Sequence, residues 1–120
     1  MMWVAVAVAG GLGAVVRYLV DLAVSRLAGG RFPWGTVAVN VSGSLVAGLV
    51  AGLAISGHLG VEVEVVVAGG FLGAYTTFST AMVQAAVELR ARLRTAAALQ
   101  LIGTLALAVA AAWLGVTVTS

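Results

Sequence analysis

The sequence predicts an all-α integral membrane protein with four spanning helices, the third of them interrupted. Three observations carry this. Of 120 residues, 62% are hydrophobic and only 8% charged, with a mean hydropathy of +1.18, whereas a soluble domain carries about 25% charged residues. The apolar runs are long enough for four crossings of roughly 20 residues each, with room for short turns and little else. Inside the third run lies Gly69-Gly70-Phe71-Leu72-Gly73-Ala74-Tyr75-Thr76-Thr77-Phe78-Ser79-Thr80, a cluster of poor helix formers. Irregular backbone at membrane depth persists only where it is buried in protein or lines a wet cavity. Interrupted helices of this kind are where transport proteins bind ions.

The elements follow in order along a single transmembrane domain, residues 1–120. The first span covers about 2–27; Met1 to Val16 is apolar without a basic leader and reads as part of that span rather than as a cleavable signal. The breakers Gly29, Gly30 and Pro33 end it. The second span covers about 34–55, and a hinge from Ser56 to Gly60 leads on to Glu62 and Glu64. The third covers about 65–87 and holds the interruption. Glu88, Arg90, Arg92 and Arg94 form a solvated turn before the fourth span, about 95–116. Trp3, Trp34 and Trp113 fall near span ends, where indoles favour the interface.

Charge placement orients the chain. The turns after spans one and three share a side and carry Arg26, Arg31, Arg90, Arg92 and Arg94, while the opposite side carries Glu62 and Glu64 and no arginine. The positive-inside rule puts the arginine turns in the cytoplasm and both termini outside. The composition also narrows the chemistry. No cysteine is present, so disulfides and thiolate metal sites are excluded. The pI near 10 rests on six arginines and no lysine, and a net charge of +2 gives no ground for a nucleic-acid partner. No catalytic constellation or phosphate loop occurs, and Gly10-Gly11-Leu12-Gly13 lies mid-span with no preceding strand, so no enzyme is expected.

The candidate functional residues are the polar ones in apolar surroundings. Asn40, Ser44, Gly48 and Gly52 recur every four residues and share a helical face. Gly48 and Gly52 fit a helix-packing stripe. A carboxamide in hydrocarbon is costly unless hydrogen-bonded, so Asn40 either ties two helices together or faces a pore. Arg17 lies within the apolar part of span one, with Asp21 one turn later as a possible partner. Intramembrane ionisable groups are functional candidates, and snorkelling to the interface is the structural alternative. Gln100 and Thr104, four apart in span four, either bond between helices or continue a polar track. Phe71, Tyr75 and Phe78 could simply pack, but an aromatic edge is electropositive and can face an anion. His58 is assigned no role.

Three stretches together carry a resemblance: Gly10-Gly11-Leu12-Gly13-Ala14-Val15-Val16-Arg17-Tyr18, then Gly35-Thr36-Val37-Ala38-Val39-Asn40-Val41-Ser42-Gly43, and then the segment 69–80. In order, spacing and placement they resemble the CrcB/Fluc family of fluoride channels, across nearly the whole chain. The resemblance implies an antiparallel dual-topology-type dimer of four-helix subunits in a prokaryotic inner membrane, with two pores and a central structural sodium ion. It implies that Asn40 donates its amide to fluoride and that Phe78 stands edge-on to the anion. Thr77, Ser79 and Thr80 would offer hydroxyls. Thr104 would belong to the polar track with Gln100 above it, and Arg17 would guard the vestibule. The carbonyls of Gly73 and Thr76 would hold the sodium. Fluoride is strongly hydrated, so a pore must replace its water with donors, which Asn amides and Ser/Thr hydroxyls supply. The implied activity is passive export of fluoride, protecting the cell from its toxicity.

Two departures qualify this. The family pattern Phe-Ser-Thr-Phe reads Phe78-Ser79-Thr80-Ala81 here, and the loop charge is one-sided where family members often have it balanced. Both fit a heterodimer with a homologous subunit of opposite orientation, which could supply the missing ring; the alternative is an antiparallel homodimer. The rival readings are a small multidrug-type proton-coupled exporter and a non-conducting partner subunit of a heterodimeric channel. The exporter calls for a deep acidic residue in span one, where this chain has Arg17 and a peripheral Asp21.

Overall fold

The computed structural model describes residues 1–30 and 32–120; Arg31, one of the loop arginines above, lies outside the described residues. Among the described residues every regular element is a helix, four crossings are long and apolar enough to span a membrane, and the chain is a multi-pass membrane protein. Helix α1 (Met2–Ala28) has 27 residues, about 40 Å at 1.5 Å per residue. It stops where Gly29 takes a left-handed conformation (φ 58°) and its N–H caps the Ser25 carbonyl. Helix α2 is Trp34–Ile55. The third crossing comprises α3 (residues 61–75) and α4 (Phe78–Arg90), and the fourth is α5 (Arg94–Thr119). Stretches Val65–Leu72 of α3 and Leu99–Gly103 of α5 are wound as π-helix, a rare winding that recurs at functional sites. The molecule measures 48 × 30 × 23 Å, and its long axis matches a bilayer with its headgroup regions, about 40–45 Å.

Helix α2 is central. It packs along α5 on one side and meets α1 and α3 on the other, while α4 leans on the start of α5. The α2–α5 contact is built on glycine. A Cβ on Gly48 would strike the backbone of Ala112, and one on Gly115 would strike the backbone of Leu45 and Leu49. Small residues let two helices meet backbone to backbone, where dispersion has most to gain in lipid. On the other side, Val39, Leu72 and Tyr75 form the buried apolar cluster, with Tyr75 stacked on Phe71 at 5.9 Å.

Two local readings change. α3 begins at Val61, so Glu62 and Glu64 occupy its first turn, where carboxylates are favoured by the helix dipole. Glu88 does not sit in a solvated turn. It is buried on α4, on the same face as Ala81 and Ala85. Small alanines at that face draw α4 against α5 and carry Glu88 in with them. The turn itself is made by Ala91 and Arg92, the latter at φ 62°.

Candidate ion pathway

The site forms where the third crossing stops being helical. α3 ends at Tyr75; Thr76 (φ −77°, ψ 154°) and Thr77 (φ −146°, ψ 118°) are extended, and α4 resumes at Phe78. Thr76 closes the end of α3 with both its N–H and its hydroxyl on the Leu72 carbonyl, each at 3.0 Å. Thr77 opens α4. Its Oγ1 accepts from the Thr80 N–H at 3.3 Å and donates to the Thr80 hydroxyl at 3.0 Å, a threonine N-cap worth about 1 kcal/mol.

The extended link rests on one turn of α2. The Thr77 N–H donates to Asn40 Oδ1 at 2.8 Å, not to the Gly73 carbonyl four residues back. Asn40 Nδ2 donates to the Thr77 carbonyl at 2.9 Å. This reciprocal pair fixes which end of the carboxamide is nitrogen. Two residues on, Ser42 Oγ and the Tyr75 hydroxyl are 2.8 Å apart. A Cβ on Gly43 would run into the Thr76 methyl and the Tyr75 ring. Asn40, Ser42 and Gly43 therefore grip Thr77, Tyr75 and Thr76 respectively.

Two cavities flank the link. The larger, about 400 Å³, lies between α2, α4 and α5 and is lined by Asn40, Ser44, Thr77, Phe78, Gln100 and Thr104 over walls that include Ala81, Leu101 and Ala108. Gln100 is 0% exposed, and among the described residues neither its Nε2 nor its Oε1 has a partner; the Thr104 hydroxyl is likewise buried and unpaired. Each such group costs about 1–3 kcal/mol if it stays unpaired. Phe78 is 77% exposed, so its ring is not held by the core. The smaller cavity, about 110 Å³, is lined by Arg17, Tyr18, Asp21, Thr36, Thr77 and Thr80. The Thr36 hydroxyl is buried and unpaired beside it. Thr77 borders both cavities.

The predicted residues thus divide. Asn40, Thr77, Phe78, Gln100 and Thr104 converge on the larger cavity together with Thr76, the residue expected to hold sodium, and Arg17, Thr77 and Thr80 converge on the smaller. Ser79 is exposed, lines neither, and reaches only the Thr77 hydroxyl at 3.4 Å. Gly73 is exposed, and its carbonyl does not receive the Thr77 N–H. Among the described residues no ion pair joins Arg17 to Asp21; the Asp21 carboxylate accepts from Ser25 Oγ at 3.4 Å and lies against Gly35. The Ser42–Tyr75 bond went unread in the sequence. Its only signal was a second polar side chain two residues from Asn40 in an apolar span.

The profile of the CrcB-like (camphor resistance) protein family matches residues 4–116. The chain belongs to the CrcB family. Its relatives include a protein of Symbiobacterium thermophilum named "Fluoride-specific ion channel FluC 1", 48% identical over 117 residues, covering 96% of this chain and 94% of the relative. A protein of the same name from Leifsonia xyli subsp. xyli is 47% identical, covering 92% of this chain and 81% of its own length. "Fluoride-specific ion channel FluC 2" of Mycobacterium tuberculosis is 39% identical, covering 94% and 86%. Membership of a channel family, not an enzyme family, agrees with a site built of amides, hydroxyls and ring edges.

Proposed function

We propose that this CrcB-family chain is a subunit of a fluoride-specific ion channel that lets fluoride leave the cytoplasm passively. The observation that carries the reading is the pair of buried, unpaired groups, the Gln100 amide and the Thr104 hydroxyl, on a cavity shared with Asn40 and Phe78. Donors kept buried and unpaired are what a strongly hydrated anion needs when it sheds water, and the names of the relatives supply the halide. In this reading the remaining Asn40 amide proton, the Gln100 amide and the Thr104 hydroxyl replace the anion's water, while the Thr77 hydroxyl stays bonded to Thr80. The Phe78 edge supports it, Ser79 and Thr80 extend the hydroxyl run, and Arg17 draws anions to the smaller cavity as the vestibule.

The subunit pairs antiparallel, with a second copy or with a homologue of opposite orientation. Ala81 bears on the choice, because it is buried on the larger cavity where the family pattern has a second ring; a partner could supply that ring. A sodium ion between subunits is the expected structural cofactor. Gly73 is exposed and its carbonyl is passed over by the Thr77 N–H, which fits an oxygen ligand, and Thr76 three residues on has extended backbone. Bound there, sodium would balance carbonyl dipoles from the two subunits. The bilayer is the prokaryotic inner membrane, with the arginine turns inside and both termini outside.

The test is fluoride efflux from liposomes carrying the purified chain, with and without an imposed pH gradient. Efflux should follow the fluoride gradient alone. Transport that tracks the pH gradient would instead indicate a proton-coupled exporter. Efflux without any partner would rule out an obligate heterodimer.

A further inference from the structure

We propose that Asn40 is the positioning residue that keeps the third crossing open, by competing with the helix for the Thr77 amide. An uninterrupted helix would send the Thr77 N–H to the Gly73 carbonyl. Here that proton goes to Asn40 Oδ1 at 2.8 Å, and the same carboxamide returns an N–H to the Thr77 carbonyl at 2.9 Å. Extending two residues inside a membrane protein strands backbone groups that lipid cannot satisfy. Asn is the side chain that can satisfy both at once, since it carries a donor and an acceptor on one short planar group. Aspartate offers only acceptors when ionised, serine has one oxygen, and leucine has neither.

The clamp also sets the sign of the cavity wall. A bare Thr77 carbonyl would present an acceptor to the larger cavity and repel an anion. Asn40 covers it with one amide proton, and the second Nδ2 proton remains on a side chain that lines the same cavity. An acceptor is thereby exchanged for a donor where Thr77 forms the wall between the two cavities. This deepens the ion-pathway reading, but its first arm is read on the backbone and does not depend on which ion passes.

The experiment compares wild type, Asn40→Ala and Asn40→Asp in liposomes, measuring deuterium exchange at the Thr77 amide and fluoride efflux on the same preparations. Amides in α1 and in the second half of α2 report that the fold is intact. In Asn40→Ala the Thr77 amide should exchange about tenfold faster or more, the scale set by loss of one buried hydrogen bond, and efflux should be lost. In Asn40→Asp exchange should stay slow, because the carboxylate still accepts that N–H, yet efflux should be lost because the carbonyl is uncovered. Unchanged Thr77 exchange in Asn40→Ala would overturn the clamp and leave Asn40 as a contact to the ion alone. Efflux at the wild-type rate in Asn40→Asp would overturn the second half, reducing Asn40 to a purely structural tie. Should Asn40→Ala not fold, fast Thr77 exchange in Asn40→Asp would equally refute the assignment.

Discussion

One face of α2 does two different jobs along its length. Toward its C-terminus Gly48 and Gly52 bring α5 into backbone contact, and the Thr119 hydroxyl bridges back to the Leu49 carbonyl at 3.1 Å. That half is closely packed. Toward its N-terminus Asn40 and Ser44 line a cavity of about 400 Å³, where the Gln100 amide and the Thr104 hydroxyl stay buried without partners among the described residues. The contrast shows where the fold draws its stability and where it leaves hydrogen-bonding capacity unused. Backbone-close packing fixes the position of α5, and that fixed helix can then carry costly polar groups opposite Asn40.

Substitutions at the two ends should therefore fail in opposite ways. The largest effect expected is Gly48→Leu, whose side chain must enter the Ala112 backbone. Overpacking against side chains costs about 1–3 kcal/mol, and backbone yields less readily. The variant should lose folded protein, read as a collapsed size-exclusion peak and a lowered melting temperature in detergent. A wild-type melting curve would break the comparison.

Next is Phe78→Ile. The ring is 77% exposed, so stability should hold while fluoride efflux falls by about tenfold or more, the rate equivalent of about 1.4 kcal/mol. Equal losses of stability and flux would move Phe78 from the pathway into the packing. Gln100→Leu should separate the two properties further. Removing an unpaired amide relieves about 1–3 kcal/mol of burial cost, so melting should be unchanged or higher, while efflux drops. A destabilised variant would mean that Gln100 is a bonded structural residue. The smallest effect is expected at Gly69→Ala, where a Cβ meets nothing within 4 Å. Melting should move by less than about 0.5 kcal/mol equivalent, and a larger shift would show that open space there is needed.

The sequence made the four apolar crossings legible, because length and hydropathy need no knowledge of neighbours. Polar residues in apolar runs marked out Asn40, Gln100 and Thr104, which the fold brings to one cavity. The four-residue stripe of α2 does not say where its role changes, since serine and glycine both suit close helix packing and what lies opposite each is set by the fold. The sequence alone leaves Asn40 between a helix tie and a pore residue, and the geometry gives it a bonded partner in Thr77 together with a place on the cavity. Glu88 was misread for a related reason. Neighbouring arginines suggested a solvated turn, whereas the alanine face of α4 that carries Glu88 inward is apparent only once α5 is in place. The π-helical winding around Gln100 has no sequence signature beyond ordinary apolar residues.

The central claim is that buried unpaired donors opposite Asn40 form a fluoride pathway. It is tested most directly by fluoride and chloride efflux from liposomes carrying the wild-type chain and Gln100→Leu, reconstituted alone and with an oppositely oriented homologue. The account predicts fluoride efflux without chloride efflux, sharply reduced by Gln100→Leu in protein that melts no lower than wild type. No fluoride efflux in either reconstitution, or a Gln100→Leu protein conducting like wild type, would contradict it.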